Sequence, residues 1–143
     1  MKVVVNRRYG GFGLSHEAIM RYAELKGFSI YCYKEKIGVA GEIVKDENKK
    51  SIWVKCAEIP KRKWEIIYFT KELKNGEWDN NSHFAHYDLD RSDPVLVQVV
   101  EELGEKANGD YSKLEIVDVP NDIQWHISEY DGMEHVAENH RSW

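Results

Sequence analysis

The residues with the most chemical promise run Asn6-Arg7-Arg8-Tyr9-Gly10-Gly11-Phe12-Gly13-Leu14-Ser15. Gly10, Gly11 and Gly13 lack a Cβ, so backbone N–H groups can come close to a ligand. Arg7 and Arg8 supply forked donors suited to phosphate. Ser15 adds a hydroxyl at a helix start, where partial positive charge favours an anion. Tyr9 and Phe12 can stack on a base or ribose. The run lacks the Gly-Lys-Ser/Thr of a Walker A loop and is not Gly-x-Gly-x-x-Gly. The competing reading is a tight strand-to-helix turn carrying surface arginines, since glycine most often serves backbone geometry.

A second cluster is His83-Phe84-Ala85-His86-Tyr87-Asp88-Leu89-Asp90. His83, His86 and Asp88 could ligate a divalent metal, with His126, His135 or His140 completing the set, as a metal-dependent hydrolase would need. No His-Glu-x-x-His accompanies them, so capping and structural roles compete, and no metal is assigned. A third group closes the chain. His140, beside Glu138 or Asp131, could form an acid–base pair, and Arg141 could hold an anion. Trp143 reads as a hydrophobic clip. Cys32 and Cys56 lie in apolar, strand-like runs, where thiols are usually inert; a disulfide is possible but nothing in the sequence indicates one. No Gly-x-Ser-x-Gly elbow occurs. No catalytic residue and no cofactor follow from these patterns.

These groups need elements to hold them. Lys2–Asn6 reads as a strand. Ser15 is an N-cap for a helix to about Lys26, with Ala18, Ile19, Tyr22 and Leu25 as its apolar stripe and Glu17 paired with Arg21. Gly27 closes it. From Phe28 to Thr70 the period becomes two. Strands fall at Phe28–Tyr33, Ile37–Ile43, Ile52–Cys56 and Trp64–Phe69, with a turn at Asp46–Lys50, giving an antiparallel meander. The last of these strands, apolar on both faces, suits a central place. Lys71–Arg91 is a long loop. Asp93-Pro94 restarts helix as N-cap and N1, with Val95, Leu96, Val99, Val100 and Leu103 on one face, and Asn108-Gly109 ends it. Strands follow at Lys113–Val119 and Ile123–Tyr130. Asp131-Gly132 predicts a type I′ hairpin, setting Tyr130 by Met133, Ile127 opposite Val136 and Glu129 opposite Glu134. A helix opened by Asp131 and Glu134 competes, and the hairpin is preferred.

The whole chain, 143 residues with 42% hydrophobic and 12% aromatic content, suits one α+β domain over 1–143. The expected architecture is an antiparallel sheet of about five to seven strands with two main helices packed on it. Disorder is excluded by that composition. No apolar run reaches the roughly 18 residues of a membrane helix, and the N-terminus lacks a signal-peptide core, which points to a cytoplasmic protein with no membrane partner. The net charge of −5 divides unevenly: residues 1–76 carry +7 and residues 77–143 carry −12. This split suits a homodimer or higher homo-oligomer, a basic ligand site, or simply two halves interleaved in one fold. The acidic total disfavours duplex nucleic acid.

The opening Met1-Lys2-Val3-Val4-Val5-Asn6-Arg7-Arg8-Tyr9-Gly10-Gly11-Phe12-Gly13-Leu14-Ser15 resembles that of a family of small proteins from bacteriophages, prophages and Gram-positive bacteria. So do Arg91-Ser92-Asp93-Pro94-Val95-Leu96 and the close, Glu129-Tyr130-Asp131-Gly132 through His140-Arg141-Ser142-Trp143. The resemblance implies a genomic setting, the host-cell cytoplasm, more than a chemistry. In that setting the leading expectation is a non-enzymatic accessory protein that binds a small anionic, nucleotide-like ligand and acts as a sponge for a host immune signal. Arg7, Arg8, Tyr9, Gly10, Gly11, Phe12, Gly13, Ser15, His140 and Arg141 are its candidate site. The first alternative is an acidic protein that inhibits a host defence enzyme through residues such as Asp88, Asp90, Glu101 and Glu102.

Overall fold

The computed structural model describes residues 1–35, 52–59 and 65–139. The fold is α+β. Its described elements are β1 (Lys2–Asn6), α1 (His16–Lys26), β2 (Tyr31–Glu35), β3 (Trp53–Lys55), β4 (Ile67–Phe69), α2 (Pro94–Leu103), β5 (Leu114–Asp118), β6 (Trp125–Tyr130) and β7 (Met133–Glu138). They fall into two compact units, Met1–Gly27 with His86–Trp143, and Phe28–Ala85. The seven strands form three small sheets, β1-β5, β3-β2-β4 and β6-β7, in place of the single larger sheet expected from the sequence. No helix among the described residues is long and apolar enough to cross a membrane.

In the first unit β1 pairs antiparallel with β5, Val4 opposite Ile116. Val3, Val4, Val5 and Asn6 are fully buried. Among the described residues no strand lies beside the other edge of β1. Its outward N–H groups are satisfied singly, Val4 N donating to the Arg91 carbonyl at 2.9 Å and Asn6 N to Glu134 Oε1 at 2.8 Å. That is why the sheet stops at two strands: period-two patterning announces a strand but not its neighbour. Val3, Val5 and Val119 form a core against which Val117, Ile123, Trp125, Ile127 and Val136 pack.

The helices follow the capping chemistry. Ser15 Oγ accepts from Ala18 N at 3.1 Å, and Gly27 closes α1 at φ 82°. Ala18, Ile19, Tyr22 and Ala23 are its buried residues, while Leu25 is only half-buried. Helix α2 buries Leu96, Val97, Val99 and Val100 and stops at Gly104, earlier than the Asn108-Gly109 expected; a 3₁₀ turn fills Gly104–Ala107. Arg21 pairs with Glu24 and Glu102. The hairpin forms as expected, with Asp131 and Gly132 both at positive φ, 48° and 87°. Its pairs are Tyr130 with Met133, Ile127 with Val136 and Glu129 with Glu134, so the competing helix is absent.

Within this unit, cations of the first segment meet anions of the last. Lys2 meets Glu101, Arg7 meets Glu115, Arg21 meets Glu102 and Lys26 meets Asp93. Basic residues of the first segment thus face acidic residues of the last. Within this unit the two segments are interleaved.

In the second unit β2 is central, antiparallel to both β3 and β4. The apolar run ending at Phe69 therefore contributes an edge strand, not a central one. Its outer side is covered by a passing segment, with Phe84 N on the Tyr68 carbonyl at 2.8 Å and Thr70 N on the Ser82 carbonyl at 2.7 Å. Fully buried Phe69 packs among Tyr33, Trp78 and His83. The strand expected at Ile37–Ile43, the turn at Asp46–Lys50 and Trp64 lie outside the described residues.

Asp93 joins the two helices. It caps α2 by accepting from Val95 N at 2.9 Å, accepts the Tyr22 hydroxyl at 2.8 Å and pairs with Lys26 at 2.9 Å. Burial pushes its carboxyl up, but Lys26, Tyr22 and the Val95 N–H outweigh this and hold it below its ordinary value. A depressed carboxyl stabilises the fold above its unfolded pKa, and that contribution is lost as pH falls through the lower folded value. Asp93→Ala is expected to cost about 1 kcal/mol through the lost cap. It should also flatten the fall of stability below about pH 4 in urea titrations at stepped pH.

Candidate functional site

The glycine-rich run connects β1 to α1, and Asn6 organises it from within. The Asn6 side-chain amide donates to the Arg8 and Gly132 carbonyls, each at 2.7 Å. Its carbonyl oxygen accepts from Arg8 N at 3.2 Å and Lys113 N at 2.9 Å. One buried side chain therefore ties the loop to the β6–β7 turn and to the start of β5.

Beside it lies a buried ion pair. Arg91 donates to both Glu134 oxygens, at 2.6 and 3.0 Å, with side-chain exposures of 14% and 7%. Its guanidinium lies 3.4 Å from the centre of the Phe12 ring. Arg7 donates to the Glu134 carbonyl at 3.0 Å and to Glu115 at 3.2 Å. Phe12 and Arg7, expected to meet a ligand, are thus held by the protein itself.

The loop's backbone is similarly engaged. Arg7 N donates to the Lys113 carbonyl, Gly10 N to Asp131, Ser15 N to Ala107 and Leu14 N to His86 Nδ1. Gly13 O accepts from Gly109 N and from Ser112 Oγ. Ser15 Oγ, besides capping α1, donates to the Lys106 carbonyl at 2.6 Å. A Cβ on Gly132 would sit 2.1 Å from Gly11 N, so the hairpin turn presses directly on the loop. Gly10 and Gly132 serve close backbone packing, and protein acceptors take the Arg7, Arg8, Gly10, Leu14 and Ser15 N–H groups of the loop.

What the loop presents outward is aromatic. Tyr9 is 57% exposed, Tyr111 59% and Tyr130 73%. Tyr9 and Tyr130 meet edge to face, with centroids 6.4 Å apart. The Tyr111 Cβ lies 3.1 Å from where a Gly10 Cβ would be. Exposed Arg8 joins them, its guanidinium making one long contact of 3.4 Å with the Asp110 carbonyl. Tyr111 and Tyr130 were not among the residues singled out by sequence. The Asp131-Gly132 turn could have pointed to Tyr130; Tyr111 carries no local signal.

The other candidates do not converge. His83 stacks on Trp78 at 4.7 Å and on Phe69, and burial pushes its imidazole pKa down. His86 accepts from Leu14 N, Asp88 is exposed, and His126 contacts Asn139. Among the described residues no three His, Cys, Asp or Glu side chains are grouped to hold a metal. Asp90 caps Ser92, while Glu101 and Glu102 are taken up by Lys2, Arg21 and Gln98. His140, Arg141 and Trp143 lie outside the described residues. Strand β7 leaves the loop at Met133, and its last residue, Glu138, pairs with Trp125 at the hairpin's far end.

No family model, curated protein or solved structure matches the chain.

Two stability measurements check this arrangement. Glu134→Ala leaves Arg91 and Asn6 N without their buried acceptor, and a loss of about 3 kcal/mol is expected in urea unfolding. Gly132→Ala should fail to fold or lose several kcal/mol, because the new methyl meets backbone that cannot yield. Gly11→Ala, at φ +102° with nothing within 4 Å, should cost only about 1–2 kcal/mol of backbone strain.

Proposed function

We propose that this chain is a non-catalytic binding protein for a small anionic, nucleotide-like ligand. The ligand is held at the outer surface of the glycine-rich loop by Arg8, Tyr9, Tyr111 and Tyr130. The phage-type resemblance of both chain ends makes a host immune nucleotide the favoured ligand and sequestration the favoured role. The observation that carries the reading is a group of three tyrosines, each more than half exposed, beside an exposed arginine on a loop braced from behind. Tyr9 and Tyr130 stand at 75° to one another, so a base can stack on one ring and meet the edge of the other. Arg8 is the group left to take the phosphate, since Arg7 is committed to Glu115 and the Glu134 carbonyl.

A protein partner on the same surface is the second reading, favoured by its composition, because tyrosine and arginine carry much of the energy of protein interfaces.

Calorimetric titration with cyclic oligonucleotides and ADP-ribose derivatives decides between them. Arg8→Ala and Tyr130→Ala are each expected to weaken nucleotide binding about tenfold or more, as loss of one charge-assisted bond or one stack would. Their midpoints of thermal unfolding should stay within about 2 °C of the parent, because both side chains are exposed. Full affinity in both variants, or no heat with any nucleotide, overturns the nucleotide reading. A protein partner whose binding is lost with Tyr130→Ala would then establish the second.

A further inference from the structure

We propose that Cys32 and Cys56 form a redox pair that closes into a cross-strand disulfide when a two-electron oxidant of the glutathione-disulfide class is present. These are the chain's two cysteines. The β2–β3 register runs Glu35 with Trp53, Lys34 with Val54 and Tyr33 with Lys55, so the next pair is Cys32 with Cys56. The hydrogen bond of 2.9 Å from Cys56 N to the Cys32 carbonyl shows that the pairing reaches them. Cys56 lies one residue past the end of β3, and this bond holds it across from Cys32; in a hydrogen-bonded antiparallel pair the Cα atoms stand about 5.5 Å apart. That separation lies inside the range a disulfide spans. Both thiols are free and half-buried, close to one another yet open to a small reagent.

Position and acidity both distinguish the two thiols: Cys32 lies within the central strand β2, while Cys56 lies just past the end of edge strand β3. Burial, and then the neighbouring Cys56, push the Cys32 thiol up to about 11. Burial also raises Cys56, but the positive charge of Lys34 offsets part of it. Cys56 is therefore the first nucleophile. Its thiolate attacks one sulfur of glutathione disulfide, and the first glutathione leaves as a thiolate and takes up the proton. Cys32 then loses its proton and attacks the Cys56 sulfur of the mixed disulfide, expelling the second glutathione. Two thiols of the protein are oxidised and one glutathione disulfide is reduced. The new bond fastens the three-residue strand β3 to β2, whose mutual hold is otherwise a short ladder.

The test uses the full chain, reduced and then equilibrated under native conditions in glutathione mixtures of increasing oxidised fraction. The expected product is a monomer lighter by two hydrogens, with no free thiol and a Cys32–Cys56 linked peptide after digestion. Cys32→Ser should stop at the mixed disulfide with glutathione on Cys56. Persistence of both thiols in fully oxidised glutathione, glutathione adducts alone on the parent chain, or disulfides between chains would each overturn the proposal.

Discussion

The first unit depends on how the outer edge of β1 is closed. A buried strand edge must have its N–H groups satisfied, because an unpaired buried donor costs about 1–3 kcal/mol. Among the described residues no strand does it. The Arg91 carbonyl takes Val4 N and the Glu134 carboxylate takes Asn6 N. Placing a carboxylate at a buried edge is itself costly unless a cation answers it. Arg91 answers with two hydrogen bonds, and it also counters the repulsion between Glu134 and Glu129, which face each other across the hairpin. One residue segment thus supplies both a backbone acceptor and the compensating charge.

This closure decides what the glycine-rich loop is able to do. Glu134 brings the β6–β7 turn against the loop, so Gly132 must do without a Cβ, which would sit 2.1 Å from Gly11 N. Asn6 fills its hydrogen-bonding capacity on three segments, and Arg91 covers Phe12. A loop so engaged has part of its backbone N–H set already committed to the protein. It is well suited to holding exposed side chains steady, since a preorganised surface loses less entropy when it binds.

Local signals in the sequence carried the local structure. Ser15, Gly27, Asp93-Pro94 and Asp131-Gly132 each mark a boundary through a bond or dihedral that spans a few residues, and each is found where its chemistry puts it. Strand partners were not legible in the same way. The Trp64–Phe69 run reads as central because it is apolar on both faces, but aromatic rings and the Ser82–Phe84 segment provide that burial. The α2 stop at Gly104 rather than Asn108 reflects a glycine that the apolar spacing runs past. The site shows the same limit more sharply. Arg7 and Arg8 look alike in sequence, and only partners more than a hundred residues away separate them: Glu115 and Glu134 take Arg7, while Arg8 stays at the surface.

The charge asymmetry teaches a related point. A first segment rich in Lys and Arg and a last segment rich in Asp and Glu suggest two surfaces of opposite sign. The order of elements brings β1 beside β5 and α1 beside α2, so the two segments become neighbours in every layer of the unit. Lys2, Arg7, Arg21 and Lys26 then meet acidic partners within the same chain. Most of these pairs are exposed, and each adds little to stability. Their effect is to give each of these four cations a local anion, while the unit as a whole keeps more acidic than basic residues. Lys2, Arg7, Arg21 and Lys26 are thus answered one by one by the acidic segment rather than gathered on a face of their own.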